Sequence, residues 1–183
     1  QKPNNFFRLV SCRNRAEQWF RVFNNHPMKE PMTFRFLAEP GDVNFGGKVH
    51  GGAVMKWIDQ AGYASAVNWC GGYAVTVYVG GIRFFKPIHI GYLVEIRTHL
   101  IFTGSSSMHI AVDVYSKPLE SDEFVHNTHC VIIFVSLDAE GKPRHVPPFV
   151  PVTEDEKKME SYARKLMELR QGIEKEMEPY MAK

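Results

Sequence analysis

Residues 42–72 read DVNFGGKVHGGAVMKWIDQAGYASAVNWCGG, a polar, glycine-rich segment followed by a long apolar one. From Gly52 to Cys70 the apolar residues occupy most of the circumference of a helix, a pattern typical of a buried helix. Small residues at positions 62 and 64–66 keep one side of this helix slim, so that a backbone can approach it closely. Gly71-Gly72 predicts its C-terminal end. We therefore expect one long central helix.

After this helix the apolar period drops to two, which predicts β-strands. Four such segments, rich in Val, Ile, Phe and Tyr, are Val75–Phe85, Leu93–Phe102, Met108–Tyr115 and Thr128–Leu137. An alternating segment before the helix, Thr33–Leu37, predicts a fifth strand. Short connections between the later strands favour an antiparallel meander. The predicted fold class is α+β, a hotdog fold in which a five-stranded antiparallel sheet wraps around the long central helix.

The two ends of the chain differ from this central pattern. From Glu154 onward an amphipathic helix is predicted, with Thr153 as its N-cap and Glu156 completing a capping box. Near the other end, Arg15–Asn24 is compatible with a short helix. We divide the chain into an N-terminal extension (1–31), a domain with the predicted hotdog fold (32–152) and a C-terminal helix (153–183).

Composition excludes several classes of protein. The 183 residues carry 22 Lys+Arg and 20 Asp+Glu, so a net charge of +2 gives no broad surface for nucleic acid. The longest apolar runs, such as Val131–Val135, are too short for a membrane helix, and the start of the sequence lacks the apolar core of a secretory signal. Three cysteines (Cys12, Cys70, Cys130) without a CxxC pair are typical of free thiols in a reducing compartment. We expect a soluble, cytoplasmic protein.

Two features of the quoted segment point to chemistry. Asp59 lies in the middle of the predicted buried helix, where an unpaired carboxylate is costly to desolvate; it either pairs with Lys56 or belongs to a functional site. The amides of Gly51 and Gly52 lie in the first helical turn, where N–H groups lack intrahelical partners and can bind an oxyanion. The alternative for the glycines is a tight turn that binds nothing.

The spacing of these features predicts an oligomer. Eight residues separate Gly51 from Asp59, about 12 Å along a helix axis. A base and an oxyanion donor must both lie within roughly 3 Å of the reacting group. If both residues are catalytic, they come from different protomers, and the active site lies in a dimer interface.

The motif formed by Asn44, His50-Gly51-Gly52 and Asp59 resembles the signature of hotdog-fold acyl-CoA thioesterases. It is most similar to the cytosolic (brain-type) acyl-CoA hydrolases and the bacterial acyl-CoA thioester hydrolases. The similarity continues through residues 56–62, 81–91 and 138–144 and covers about 32–170. One departure is Tyr92, which follows Gly91 where the family usually has an acidic residue.

The resemblance implies hydrolysis of acyl-CoA to coenzyme A and a fatty acid, without metal or cofactor, by homodimers assembled into hexamers (trimers of dimers). Asp59 is then the catalytic carboxylate, as a general base or as a nucleophile that forms an anhydride. Asn44 orients water or the thioester, Gly51 supplies the oxyanion amide, and His50 supports that turn or contacts the thioester. The remaining substrate contacts implied for acyl-CoA are Gly52, Arg83, Lys86, Ser105, Ser106 and Ser107.

The same sequence allows two other functions and suggests one metal site. A hotdog hydratase or dehydratase would use His50 and Asp59 as an acid–base pair, and a non-catalytic acyl-CoA-binding protein would lack chemistry altogether. His126, His129 and Cys130 suggest zinc, but on a regular strand His129 points away from the other two. We therefore predict no metal site and no partner other than acyl-CoA and further copies of the chain, with neither nucleic acid nor membrane involved.

Overall fold

A computed structural model of the chain describes residues 31–181, so the predicted helix at Arg15–Asn24 lies outside the described residues. The strands are β1 Met32–Leu37, β2 Ala74–Phe84, β3 Leu93–Thr103, β4 Ser107–Lys117 and β5 Val125–Ser136. The helices are α1 Gly51–Cys70 and α2 Glu154–Met177. All seven predicted elements in this range are present. Gly71, with φ of 62°, ends α1 in the left-handed conformation that glycine adopts most readily.

The five strands form one antiparallel sheet in the order β1-β3-β4-β5-β2. This confirms the predicted hotdog fold, with one difference in connectivity. Strands β3, β4 and β5 form the predicted meander, but β2 pairs with β5 at the far edge instead of beside β3. Residues 85–92 do not form a hairpin between β2 and β3; they cross the end of the sheet, where Lys48 forms a bridge with His89. As a result β1 and β2 are the two edges of the sheet.

Helix α1 packs against the inner face of the sheet. Its buried side is apolar and includes Val54, Ile58 and Ala66. A side chain at Gly62 would place its Cβ 2.9 Å from both Ile132 Cγ2 and Phe134 Cε2. The close approach of backbone and sheet expected from the small residues is therefore observed, and it requires glycine at this position.

The prediction that α1 is buried all round is wrong for the protomer. Met55, Lys56, Asp59 and Tyr63 are exposed on the side of α1 opposite the sheet. A single five-stranded sheet covers only one side of a helix, so the apolar residues of the other side remain uncovered. An apolar strip of this kind on a central helix is a candidate protein interface.

Helix α2 packs on the outer face of the sheet, where Ala163 joins Ile101, Ala111 and Val131 in a second, smaller apolar cluster. The predicted capping box is present, because the Thr153 hydroxyl accepts from the Glu156 amide and the Glu156 carboxylate accepts from the Thr153 amide. Neither α1 nor α2, nor any shorter helix in residues 31–181, is long and apolar enough to cross a membrane.

Candidate functional site

The N-terminus of α1 presents free backbone donors. His50 is the N-cap, and its Nδ1 accepts a hydrogen bond of 3.0 Å from the Ala53 amide. The amides of Gly51 and Gly52 have no hydrogen-bond partner among residues 31–181. Their N–H groups are therefore available to an anionic or carbonyl oxygen, and the helix dipole favours one there.

The two glycines at this helix start differ in the space around them. A Cβ on Gly52 would lie 3.0 Å from His50 Nδ1, so a larger residue there would displace the cap. A Cβ on Gly51 would meet only the Phe84 ring, at 3.6 Å. Gly51 also lines a cavity of about 310 Å³ together with Phe84, Lys86 and Thr128. The structure thus places the predicted oxyanion donor at an accessible cavity.

Asn44 lies in the loop that precedes α1 and shapes that loop. Its Oδ1 accepts from the amides of Gly46 at 2.8 Å and Lys48 at 3.1 Å. The side-chain NH₂ of Asn44 makes no hydrogen bond within residues 31–181 and is exposed. This leaves a donor available for a water molecule or a thioester, while the oxygen fixes the turn.

Asp59 has a partner that the sequence did not reveal. The Thr76 hydroxyl donates a hydrogen bond of 2.6 Å to Asp59 Oδ1. Thr76 lies on β2, and a register shift between Thr76 and Tyr78 turns the following residues to the other face of the sheet. The only signal in the sequence is a threonine between two valines, Val75 and Val77. Of the two alternatives for Asp59, the pairing with Lys56 is not observed within residues 31–181.

Asp59 and Gly51 of one protomer do not form a single reaction site. They lie more than two turns apart on α1. Thr76 on β2 binds Asp59 through a hydrogen bond. The outer edge of β2 pairs with no other strand in residues 31–181. Val77 on this strand is half exposed. The exposed side of α1 and the open edge of β2 therefore form one continuous surface beside Asp59.

The predicted coenzyme A contacts fall into two groups. Lys86 lines the cavity at Gly51, and the Arg83 guanidinium lies 5.8 Å from the centre of the neighbouring Phe85 ring. Ser105, Ser106 and Ser107 form the β3–β4 turn, where the Val146 amide donates to Ser105. That turn lies toward the C-terminal end of α1, because the Trp69 indole donates to nearby Pro147. Within one protomer the serines are remote from Gly51.

A polar cluster on the outer face of the sheet contains His126 and His129, which were expected to point in opposite directions. A register shift between Val114 and Tyr115 puts His126 and His129 on the same face of the sheet. His126 Nε2 lies 2.9 Å, and His129 Nδ1 2.8 Å, from Asp113 Oδ1. The expectation that His126 and His129 point apart is wrong because a bulge breaks the period of two. Cys130 does face away, into the inner core. In the described range 31–181, no three His, Cys, Asp or Glu side chains are grouped so as to bind a metal.

This outer cluster serves the fold. Burial alone would raise the pKa of Asp113, but hydrogen bonds and charge from His129 and His126 outweigh it, so that pKa is lowered. The other ring nitrogen of His129 lies 3.1 Å from the Tyr162 hydroxyl on α2. Burial raises the pKa of the Cys130 thiol to about 12, which leaves a neutral and unreactive side chain. The cluster therefore fastens α2 to the sheet.

Comparison with known proteins places the chain among thioester-cleaving enzymes. A family model described as the thioesterase superfamily matches residues 46–121. An uncharacterized acyl-CoA thioester hydrolase of Buchnera aphidicola is 38% identical over 122 residues, which are 64% of this chain and 89% of that protein.

Two solved structures extend this similarity. The Staphylococcus aureus acyl-CoA hydrolase, solved with butyryl coenzyme A and coenzyme A, is 26% identical with a TM-score of 0.76, covering 83% of this chain and 93% of that one. Single-alanine variants of an asparagine, an aspartate and a threonine of that enzyme have also been solved. A hexameric thioesterase from Yersinia pestis is 35% identical with a TM-score of 0.61, covering 68% of this chain and 100% of that one.

Proposed function

The chain belongs to the thioesterase superfamily, among the acyl-CoA thioester hydrolases, and on that premise we propose that two protomers share each active site. The reaction is hydrolysis of acyl-CoA to free coenzyme A and a fatty acid. The observation that carries the proposal is the position of the Asp59–Thr76 pair at the open edge of β2, remote from the free amides of its own α1.

A two-fold dimer brings the separated groups together. Edge strands present unpaired N–H and C=O groups, and β2 of a second copy running antiparallel satisfies them. The two α1 helices then lie side by side in opposite directions, so the N-terminus of each approaches the middle of the other. Such a dimer also covers the exposed apolar residues Met55 and Tyr63. Three dimers of this kind would form a hexamer, the assembly of the Yersinia pestis relative.

Each group in this site has a defined role. The Gly51 amide of one protomer donates to the thioester oxygen, which becomes an oxyanion as the carbonyl is attacked. Asp59 of the other protomer removes a proton from water, or attacks the carbonyl itself to form an anhydride. Thr76 holds the Asp59 carboxylate in place, and Asn44 orients the water or the thioester. These protein groups need no metal or cofactor for the reaction.

The spacing of three residues supports these roles. In the Staphylococcus aureus enzyme the altered asparagine precedes the altered aspartate by fifteen residues, and the altered threonine follows it by seventeen. Asn44 and Thr76 lie at the same two intervals from Asp59. Thr76 therefore joins the proposed catalytic set on both geometry and spacing.

The remaining proposals concern substrate and location. We assign Arg83 and Lys86, with the Gly52 amide, to the coenzyme A side of the substrate, because cations and free amides bind phosphate and carbonyl oxygens. Ser105, Ser106 and Ser107 contact it only if they come from the second protomer, whose α1 runs in the opposite direction. A cytoplasmic location stays a prediction that rests on the free cysteines, of which Cys70 and Cys130 are buried thiols.

Neither competing function is favoured by the structure. A hydratase needs a histidine that can accept a proton. The cap bond to His50 Nδ1 leaves the proton of the neutral ring on Nε2, so neither nitrogen can accept one while the cap is in place. A protein that only binds acyl-CoA does not require a carboxylate such as Asp59, held by Thr76 and placed near the free amides of a second protomer.

The function is tested by measuring free thiol released from acyl-CoA substrates ranging from acetyl-CoA to palmitoyl-CoA. We expect thiol and carboxylic acid to appear in equal amounts, and crotonyl-CoA to be cleaved rather than hydrated. No thiol release from any substrate in the series would overturn the proposal, and hydration of crotonyl-CoA with the thioester intact would favour the hydratase.

The Thr76→Val variant tests the proposed support of Asp59. Valine keeps the β-branched shape in β2 but loses the hydrogen bond to Asp59, and hydrogen bonds to charged groups contribute about 1.5–3 kcal/mol. We expect kcat to fall about 10- to 100-fold with KM nearly unchanged. Thr33→Val, an exposed threonine on the other edge strand, is the matched control. A raised KM at unchanged kcat would show that Thr76 contacts the substrate instead.

A further inference from the structure

A second cavity lies on the outer face of the sheet, beneath α2. It has a volume of about 170 Å³ and is lined mainly by apolar side chains, among them Val131, Ile133 and Leu166. Two residues with side-chain N–H donors, His109 on β4 and Arg170 on α2, also line it. Because Asp59 and Gly51 lie on the inner face with α1, this cavity is separated from the proposed active site by the sheet.

His109 is a buried polar side chain without a polar partner. It is 3% exposed, and its ring contacts the edge of Phe102 with centroids 5.0 Å apart. No hydrogen bond from its ring nitrogens to any residue in 31–181 is present. Burial, with a smaller effect from the charge of Arg170, lowers the pKa of His109 to about 4. At neutral pH the ring is therefore uncharged, with one N–H to donate into the cavity.

Arg170 brings a positive charge to the same cavity. Its guanidinium lies 5.1 Å from the centre of the Tyr78 ring. Its Nε is 3.2 Å from the exposed Glu174 carboxylate but is buried and makes no well-directed hydrogen bond. A buried donor without a well-directed hydrogen bond destabilises the fold. Arg170 Nε is such a donor, and a ligand that accepts from Arg170 and from the His109 ring would offset this cost.

We propose that this cavity binds a short-chain carboxylate of about four to six carbons. The carboxylate accepts hydrogen bonds from His109 and Arg170, and the alkyl chain lies against Val131, Ile133 and Leu166. The size follows from the volume, because an apolar cavity of about 150 Å³ holds a molecule as large as benzene. If the proposed function is correct, the ligand belongs to the class of its product acids, and the site then senses product; binding itself does not require hydrolysis.

The test measures binding of sodium butyrate and sodium hexanoate to the full chain in the absence of acyl-CoA. Thermal unfolding and isothermal titration calorimetry are the two measurements. We expect both acids to raise Tm, and 1-hexanol and hexylamine to have little effect because they lack the anionic group. His109→Leu should itself raise the Tm of the free protein, since it removes an unpartnered buried polar group, and should weaken hexanoate binding at least about tenfold. A purely structural role for His109 predicts the opposite change in Tm.

Arg170→Met should weaken binding to a similar degree, and Lys165→Met on the exposed side of α2 is its matched control. Hexanoate binding that is unchanged in both His109→Leu and Arg170→Met would show that the acid binds outside this cavity and would overturn the proposal. So would equal effects of hexanol and hexanoate, or the absence of any effect. Thiol release is measured separately, so its failure would refute the hydrolase and leave this binding result intact.

Discussion

Replacement of Asp59 by asparagine should lower kcat for acyl-CoA hydrolysis about 10³-fold. General-base catalysis contributes about 10²–10⁴-fold, and a nucleophilic carboxylate would contribute at least as much. Asparagine is similar in size and can still accept the Thr76 hydrogen bond, so the local geometry should persist. Because asparagine keeps this hydrogen bond but not the charge, the free energy of unfolding should change by about 1 kcal/mol or less. Steady-state thiol release and thermal unfolding measure the two quantities.

The control for this variant is Asp122→Asn, which alters an exposed loop aspartate away from the site and should leave kcat unchanged. Thiol release by Asp59→Asn within threefold of wild type would remove Asp59 from the mechanism. A single turnover in oxygen-labelled water then separates the two chemical routes. Label incorporated into the Asp59 carboxylate indicates an anhydride that water opens at Asp59, and label found only in the released acid indicates that water attacks the acyl carbon.

Mixing the Asp59→Asn and Gly51→Pro variants, each inactive alone, should restore activity if two protomers share each site. Gly51→Pro removes the proposed oxyanion donor, and proline is well tolerated at the first position of a helix. The extended His50 backbone, with ψ of 148°, suits a following proline. In a mixed dimer, the protomer that keeps Asp59 faces the protomer that keeps the Gly51 amide. After random reassembly in equal amounts, about a quarter of wild-type activity should return, because half of the dimers are mixed and each has one intact site.

Gly51→Ala is the matched control for Gly51→Pro. It keeps the amide N–H, and its Cβ has room beside Phe84, at 3.6 Å, so it should retain most of the activity. Each variant alone should remain inactive after the same dissociation and reassembly. A reassembled mixture as inactive as its components, with mixed dimers demonstrated by mass spectrometry, would falsify the shared site and require Asp59 and Gly51 to act separately.

The sequence predicted the secondary structure closely where local signals are strong. Helix α1 was expected at Gly52–Cys70 and is observed at Gly51–Cys70. Its ends depend on His50 and Gly71, whose effects on the backbone are local. Strand β3 was expected at Leu93–Phe102 and ends one residue later. Caps and alternating apolar residues act over a few positions, so a pattern of residue types is sufficient to locate them.

Two features were missed because an extra residue interrupts the alternation of a strand. The register shift near Thr76 puts its hydroxyl on the α1 side of β2 and turns Tyr78 to the outer face. Another shift, next to Tyr115, lets His126 and His129 share Asp113. A bulge reverses the face of every later residue in its strand, and nothing in these segments marks its position. The role of Thr76 and the outer cluster were therefore missed.

By itself the sequence determined the elements, the free amides at the start of α1 and the conclusion that Gly51 and Asp59 cannot meet within one protomer. All of these follow from the fixed rise of a helix and from local hydrogen bonding. Only the tertiary structure decided that β2 is an open edge, that Thr76 holds Asp59 there, and that His109 and Arg170 converge on a cavity beneath α2. Those features depend on contacts between residues far apart in the chain, which the packing of the whole sheet brings together.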